Sequence, residues 1–215
     1  LREIYKLFGF TFNVELSTRP SKFEGEIELW NYAENVLKEI LTEEFGTSWK
    51  IGKKNGAFYG PKIDISISDN FNRIHQCGTV QLDFVMAKNF KLEYRDENNK
   101  MIRPVIIHRA IYGSLERFFA LLVEHYEGIY PLWLSPRQIV IIAVDNKYEA
   151  YCREIYEMFR TLEMFVTIDL SNNTFSKKIA KFSTLSEKHN YILIVGEKEV
   201  KDRSISVKDT KDQKY

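Results

Sequence analysis

Cysteine is scarce in this chain. The 215 residues hold two, Cys77 and Cys152, with no Cys-x-x-Cys pair. That excludes a disulfide framework and a cysteine-rich zinc module, and makes a reducing compartment the simpler reading. Charge of one sign is also missing. Lys and Arg number 31 against 30 Asp and Glu, for a net charge of +1. A histone-like or tail-driven nucleic-acid binder is thereby excluded, although a local basic patch is not. No apolar run reaches the roughly 18–20 residues of a membrane-spanning helix. No P-loop, His-Glu-x-x-His or Ser/His/Asp arrangement is present, and no internal repeat or low-complexity tract. The first residues, Leu1-Arg2-Glu3-Ile4-Tyr5, carry neither an initiator Met nor a signal-peptide pattern, so the chain reads as cut from something longer.

What is present is core-forming mass. Hydrophobic residues make up 44% of the chain, with 15 Phe, 12 Tyr and 3 Trp, enough to exclude disorder. The pattern divides once, at Tyr130-Pro131-Leu132-Trp133-Leu134-Ser135-Pro136, where two prolines and a serine follow a long helical pattern. This gives two expected domains, 1–130 and 131–215.

The second part alternates strand and helix. Short apolar runs at 139–144, 165–168 and 191–195 read as strands, the first and last buried on both faces; 147–163 and 176–188 read as helices. Gly196 opens a turn, and 204–207 is a last strand. The order predicts an α/β domain with a mostly parallel sheet. No Gly-x-Gly-x-x-Gly follows its first strand, so a dinucleotide fold is not supported.

The first part reads as α+β, an antiparallel sheet backed by helices. A helix is expected over 24–45, with Leu29, Ala33, Val36, Leu37, Ile40 and Leu41 on one stripe. Ile63, Ile65 and Ile67 then alternate with Asp64, Ser66 and Ser68, and strand 79–85 puts Thr79, Gln81 and Asp83 on one face. Runs 90–95 and 102–107 flank the polar turn Asp96-Glu97-Asn98-Asn99 as a hairpin. A helix over 114–125 closes this part.

Several residue types invite chemistry, each beside a plainer reading. Thr79, Gln81 and Asp83 have the groups to hold a small polar ligand, Asp83 an ammonium in particular, but the bare pattern favours a solvated sheet face. Gly78 inside a strand points to a bulge that brings Gln76 onto the face of Gln81. His75 and Cys77 make a conceivable metal pair, or a packed cysteine beside a surface histidine. Tyr59-Gly60-Pro61-Lys62 is a tight turn whose Lys62 suits a phosphate or simply water. His108-Arg109 ends an apolar strand. Ser114 is a good N-cap, and Arg117 follows within the first helical turn, where anions are favoured. Lys177, Lys178, Lys181 and Lys188 decorate one helix beside Asn172 and Asn173, as a nucleic-acid edge or an ordinary solvated face.

Taken in order, the strings Tyr59-Gly60-Pro61-Lys62-Ile63-Asp64, His75-Gln76-Cys77-Gly78-Thr79-Val80-Gln81-Leu82-Asp83-Phe84, Pro104-Val105-Ile106-Ile107-His108-Arg109-Ala110 and Gly113-Ser114-Leu115-Glu116-Arg117-Phe118 resemble threonyl-tRNA synthetases. Leu16-Ser17-Thr18-Arg19-Pro20, Trp133-Leu134-Ser135-Pro136-Arg137-Gln138 and Ile194-Val195-Gly196-Glu197-Lys198-Glu199 match as well. The His-Gln-Cys and Trp-Leu-Ser-Pro-Arg-Gln variants are closer to the eukaryotic cytosolic branch, which implies a cytoplasmic location.

The resemblance implies a class II catalytic domain, present in its C-terminal part, followed by an α/β anticodon-binding domain. It implies threonine–tRNA ligase activity in a homodimeric parent, with threonine, ATP with magnesium, and tRNA(Thr) as partners. By the same resemblance Arg117 and Lys62 serve catalysis. Gln76, Thr79, Ser114 and Arg117 bind ATP, and Tyr59 and Gln81 line the threonine pocket. His108 is one of three zinc ligands, and Asn172 and Glu199 lie near tRNA contacts. The family's motifs 1 and 2, its other zinc ligands and its editing domain have no counterpart in this sequence. The chain alone is therefore expected to be inactive, and a non-catalytic tRNA- or protein-binding module is the alternative.

Overall fold

The computed structural model describes residues 1–211; residues 212–215, the end of the expected second domain, lie outside that description. The chain forms two compact units, Leu1–His125 and Tyr126–Tyr215.

In chain order the first unit contains α1 (Arg2–Leu7), β1 (Asn13–Ser17), α2 (Ile27–Phe45), β2 (Trp49–Gly52), β3 (Lys62–Ser68), β4 (Ile74–Asp83), α3 (Met86–Asn89), β5 (Tyr94–Arg95), β6 (Met101–Ile102), β7 (Ile106–Ala110) and α4 (Leu115–Tyr126). Its sheet runs β2-β1-β3-β4-β7. Every pairing is antiparallel except that of β1 with β2. Strict alternation gives the sheet two unlike faces. Val14 and Leu16 of β1 pack with Leu37 and Leu41 of α2, joined by Ile63 and Leu82. Each such burial contributes about 1.5–3 kcal/mol. Asn13, Glu15 and Ser17 pair with Ser66, Asp64 and Lys62, so the opposite face is polar.

The helix over 24–45 exists as α2, but its buried line is Trp30, Ala33, Leu37 and Leu41. Leu29 and Ile40 are exposed. Trp30 turns the helix by about one position, because its indole N–H donates to the Glu24 carbonyl at 2.8 Å and its ring meets Phe23 and Phe84. The expected 90–95/102–107 hairpin shrinks to the two-residue ribbon of β5 and β6. Pro104, which has no N–H to donate, separates β6 from β7, and β7 continues through His108 and Arg109 rather than ending before them.

The second unit contains β8 (Ile139–Ala143), α5 (Glu149–Thr161), β9 (Val166–Asp169), α6 (Phe175–Ser183), β10 (Tyr191–Val195), α7 (Glu197–Asp202) and β11 (Ser206–Asp209). Its sheet runs β11-β10-β8-β9, parallel except for the β10–β11 pair. β8 is buried along its whole length. Ile139, Ile141 and Ala143 pack with Cys152 and Ile155 of α5, and Val140 and Ile142 with Phe182 of α6. This double burial is why its sequence shows no alternation.

Three expectations change here. The helix over 176–188 stops at Ser183, leaving Lys188 outside it. Lys178 is buried rather than part of a solvated basic edge. Gly196 precedes a six-residue helix, not only a turn.

Candidate active site

The polar face of the first sheet carries the candidate site, and a bulge assembles it. The β3–β4 ladder pairs Ile65 with Gly78 but Ser66 with Gln76, so Cys77 is an extra residue. Without that insertion Gln76 and Gln81, five apart, would face opposite ways. With it, Gln76, Thr79 and Gln81 stand opposite Ser66, Asp64 and Lys62. Gly78 sits in the bulge because a Cβ there would lie 3.0 Å from the Tyr5 hydroxyl and 3.3 Å from Ile65. Cys77 turns inward and is buried, and burial pushes its thiol pKa up against the opposing pull of the Arg117 charge. His75 bonds to Asp69 at 2.9 Å. The His75/Cys77 metal pair is therefore not formed; one member serves a hairpin turn and the other the core.

On this face hydrogen bonds run from strand to strand. Asp64 accepts from the Ser17 hydroxyl at 2.6 Å, Lys62 Nζ at 2.7 Å, Gln76 Nε2 at 2.5 Å and the Thr79 hydroxyl at 3.3 Å. Gln81 Nε2 donates to Thr79 at 3.1 Å, and the Tyr59 hydroxyl donates to Gln81 Oε1. Burial, and behind it the charges of Asp83 and Asp64, push the Tyr59 phenol pKa up. Tyr59 and Lys62 are placed by a close approach of backbone. The Phe84 amide donates to the Tyr59 carbonyl at 2.9 Å and the Leu82 amide to that of Pro61 at 3.1 Å. Gly60 lies between them, against the Leu82 carbonyl.

A cleft of about 710 Å³ opens beside β7, lined by Tyr59, Thr79, Gln81, Asp83 and His108. Nε2 of His108 lies 2.8 Å from Oδ2 of Asp83, and the Tyr59 ring stands edge-on to the imidazole at 6.1 Å. A second cleft of about 420 Å³ is lined by Glu15, Asn55, Lys62, Asp64 and Gln76. Ser114 and Arg117 stand at the start of α4. The Arg117 amide donates to the Ser114 hydroxyl at 3.4 Å, and that hydroxyl donates to Glu116 at 2.8 Å. Arg117 is exposed.

Zinc does not fit these residues. Among the described residues no three His, Cys, Asp or Glu side chains come together as a metal site. His108 is a single candidate ligand, and one imidazole does not hold zinc tightly.

In the second unit, Asn172 follows β9 and its Oδ1 accepts from Asn146 Nδ2 at 2.8 Å. Glu199 turns back on its own helix, accepting from the Gly196 amide at 2.9 Å and the Ser206 hydroxyl at 2.7 Å. Two members of these networks carry little signal in the sequence: Asp64 is a polar residue in an alternating strand and one letter of a matching string, and Ser17 is only part of such a string. Asp83, expected to hold a ligand's ammonium, instead holds His108.

Two family models match the chain. Residues 1–126 fit the class II tRNA synthetase core domain (G, H, P, S and T), and residues 138–214 the anticodon-binding domain. The chain belongs to the class II tRNA synthetase family. The relatives it is similar to are threonine–tRNA ligases. The cytoplasmic threonine–tRNA ligase of Saccharomyces cerevisiae is 44% identical over 212 residues, covering 97% of this chain and 28% of that protein. A probable cytoplasmic threonine–tRNA ligase of Arabidopsis thaliana is 45% identical over 205 residues, covering 95% of this chain and 44% of that protein. Among solved structures, the RNA-binding domain of threonyl-tRNA synthetase from Cryptosporidium parvum superimposes with a TM-score of 0.89 at 43% identity, covering 97% of this chain and 52% of that one. The chain thus spans less than half the length of these two curated relatives.

Proposed function

We propose that the protein carrying this chain is a cytoplasmic, homodimeric threonine–tRNA ligase. The observation that supports this most is the single hydrogen-bonded face from Tyr59 through Gln81, Thr79 and Asp64 to Gln76. A solvated sheet face needs no such continuity, whereas a site for two polar substrates does.

In the reaction, a threonine carboxylate oxygen attacks the α-phosphorus of ATP. The bond to pyrophosphate breaks, and threonyl-adenylate forms. A ribose hydroxyl of the tRNA's terminal adenosine then attacks the threonyl carbonyl, and AMP leaves. Gln81 and Tyr59 orient threonine in the cleft beside β7. Gln76 meets the nucleotide, with Thr79 and Ser114 on the same floor. Lys62, its ammonium held by Asp64, stands beside both substrates as a fixed positive charge. Arg117, near the positive end of α4, stabilises charge on the phosphates. Magnesium arrives with the nucleotide and neutralises phosphate charge. Asn172 and Glu199 mark the side of the second unit that meets the tRNA.

The test is threonine-dependent ATP–pyrophosphate exchange by the full-length protein. Exchange with threonine, lowered about a hundred- to a thousandfold by Arg117→Ala, is the expected result. No exchange with threonine overturns the reading.

A further inference from the structure

We propose that Asp64 is a positioning residue that sets the hydrogen-bond polarity of both clefts and couples them. The proposal rests on the ligase reading above.

A carboxylate accepts and never donates, with about four lone-pair positions. Asp64 has four donors on its two oxygens: Gln76 and Thr79 on Oδ1, Ser17 and Lys62 on Oδ2. Its side chain is 12% exposed and that of Lys62 16%, so water contributes little.

That filled acceptor set dictates every group downstream. Toward the smaller cleft, Gln76 must turn its amide nitrogen to Asp64, so its Oε1 is presented as an acceptor for a hydroxyl or amino group of the ligand. Toward the larger cleft, Thr79 must give its proton to Asp64 and therefore accepts from Gln81 Nε2. The Gln81 carbonyl then faces Tyr59, whose hydroxyl is obliged to donate. The second N–H of Gln81 is left to offer a ligand a donor. One side chain on β3 thus decides that one cleft shows an acceptor and the other a donor. The two branches converge as donors on one oxygen of Asp64, where they compete for the same electron density, so a ligand that tightens one branch weakens the other. Such coupling is reciprocal between the two ligands.

Asp64→Asn breaks the rule at its source. An amide offers one oxygen and two donors. Lys62 can only donate, so the amide oxygen turns to it, the amide NH2 faces Gln76 and Thr79, and either branch is free to reverse. Thr79→Val cuts only the branch to Gln81 and Tyr59. Ser17→Ala removes one donor and cuts neither branch.

The experiment is steady-state ATP–pyrophosphate exchange by the full-length protein, with KM for ATP and for threonine measured separately and kcat alongside. Asp64→Asn is expected to raise both KM values about five- to tenfold, with a smaller change in kcat. Thr79→Val, at a residue that also floors the nucleotide subsite, is expected to raise KM for threonine more than KM for ATP, by at least about twofold, whereas Asp64→Asn raises the two alike. Ser17→Ala moves neither beyond about twofold. The proposal is overturned if Asp64→Asn shifts only one KM, or neither, or lowers only kcat. If Asp64→Asn does not fold, Thr79→Val decides alone, and an unchanged KM for threonine overturns the coupling. A wild-type protein with no threonine-dependent exchange fails the ligase reading instead, which is a different result.

Discussion

The buried carboxylate of Asp83 holds the imidazole of His108 by one nitrogen, Oδ2 to Nε2 at 2.8 Å, while its other oxygen accepts the amides of Val85 and Met86 at 2.9 Å each. Asp83 is thus at once the end of β4, the cap of the turn into α3 and the support of a cleft residue. Removing it strips three donors of their acceptor. Asp83→Ala is expected to cost about 1–3 kcal/mol, read by urea denaturation at neutral pH.

The same pair carries a pH dependence. Burial raises the Asp83 pKa, but the Met86 amide, His108 and the Val85 amide together outweigh it and hold the carboxyl below its ordinary value. A group whose pKa is depressed by folding stabilises the fold above its unfolded pKa and loses that contribution as pH falls through the folded value. Stability should therefore fall on acidification below about pH 4, the ordinary carboxylate range. Asp83→Asn should lower stability at neutral pH and flatten that acid limb. An acid limb as steep in the variant as in the parent would exclude Asp83 as its source. The measurement is thermal denaturation of both proteins at matched pH values.

Gly60 offers a sharper steric test. A Cβ on Gly60 would stand 2.0 Å from the Leu82 carbonyl oxygen, an overlap with backbone that no side-chain rotation relieves. Gly60→Ala is expected to destabilise the protein by about 1–3 kcal/mol. It should also raise KM for threonine, because Tyr59 is carried on the displaced segment. A variant with parental stability and unchanged KM would mean that the segment is free to move.

Much of this site was legible because strand alternation is a local property. Ile63, Ile65 and Ile67 pointed to a polar opposite face, and an isolated Gly78 pointed to the bulge that aligns Gln76 with Gln81. The partners were not legible, since Asp64 with Ser17, and Asp83 with His108, meet only when strands 25 or more residues apart come into register. The failures are of the same kind. A helical wheel cannot tell that Trp30 displaces Leu29 from the core, and a lysine run cannot tell which member is buried.

Lys178 makes that last point measurable. Its ammonium lies 3.4 Å from the carbonyl oxygens of both Ala143 and Asp169, at the ends of adjacent strands, and it is 2% exposed. Its neighbour Lys177 is exposed. Lys178→Met removes a donor from two carbonyls at buried residues and should cost about 1–3 kcal/mol. Lys177→Met should stay within about 0.5 kcal/mol. Equal effects in urea denaturation would contradict the burial of Lys178.

The two residues expected near tRNA contacts differ in what the fold already asks of them. Asn172 makes one exposed bond, to Asn146, and its replacement by alanine should leave stability within about 0.5 kcal/mol. Any loss in tRNA charging by Asn172→Ala then reports on the tRNA. Glu199 is occupied. The Ser206 hydroxyl, the helix amide at its own position and the Gly196 amide hold its carboxyl pKa below the ordinary value, and through them it joins the start of α7 to β11. Glu199→Ala should therefore lower the thermal midpoint of the second unit by a few degrees, on the order expected for a lost helix cap. The midpoint should also fall as acid protonates this carboxylate in the parent and not in the variant. If Glu199→Ala weakens tRNA charging while the midpoint is unchanged, its carboxylate faces the RNA rather than its own helix.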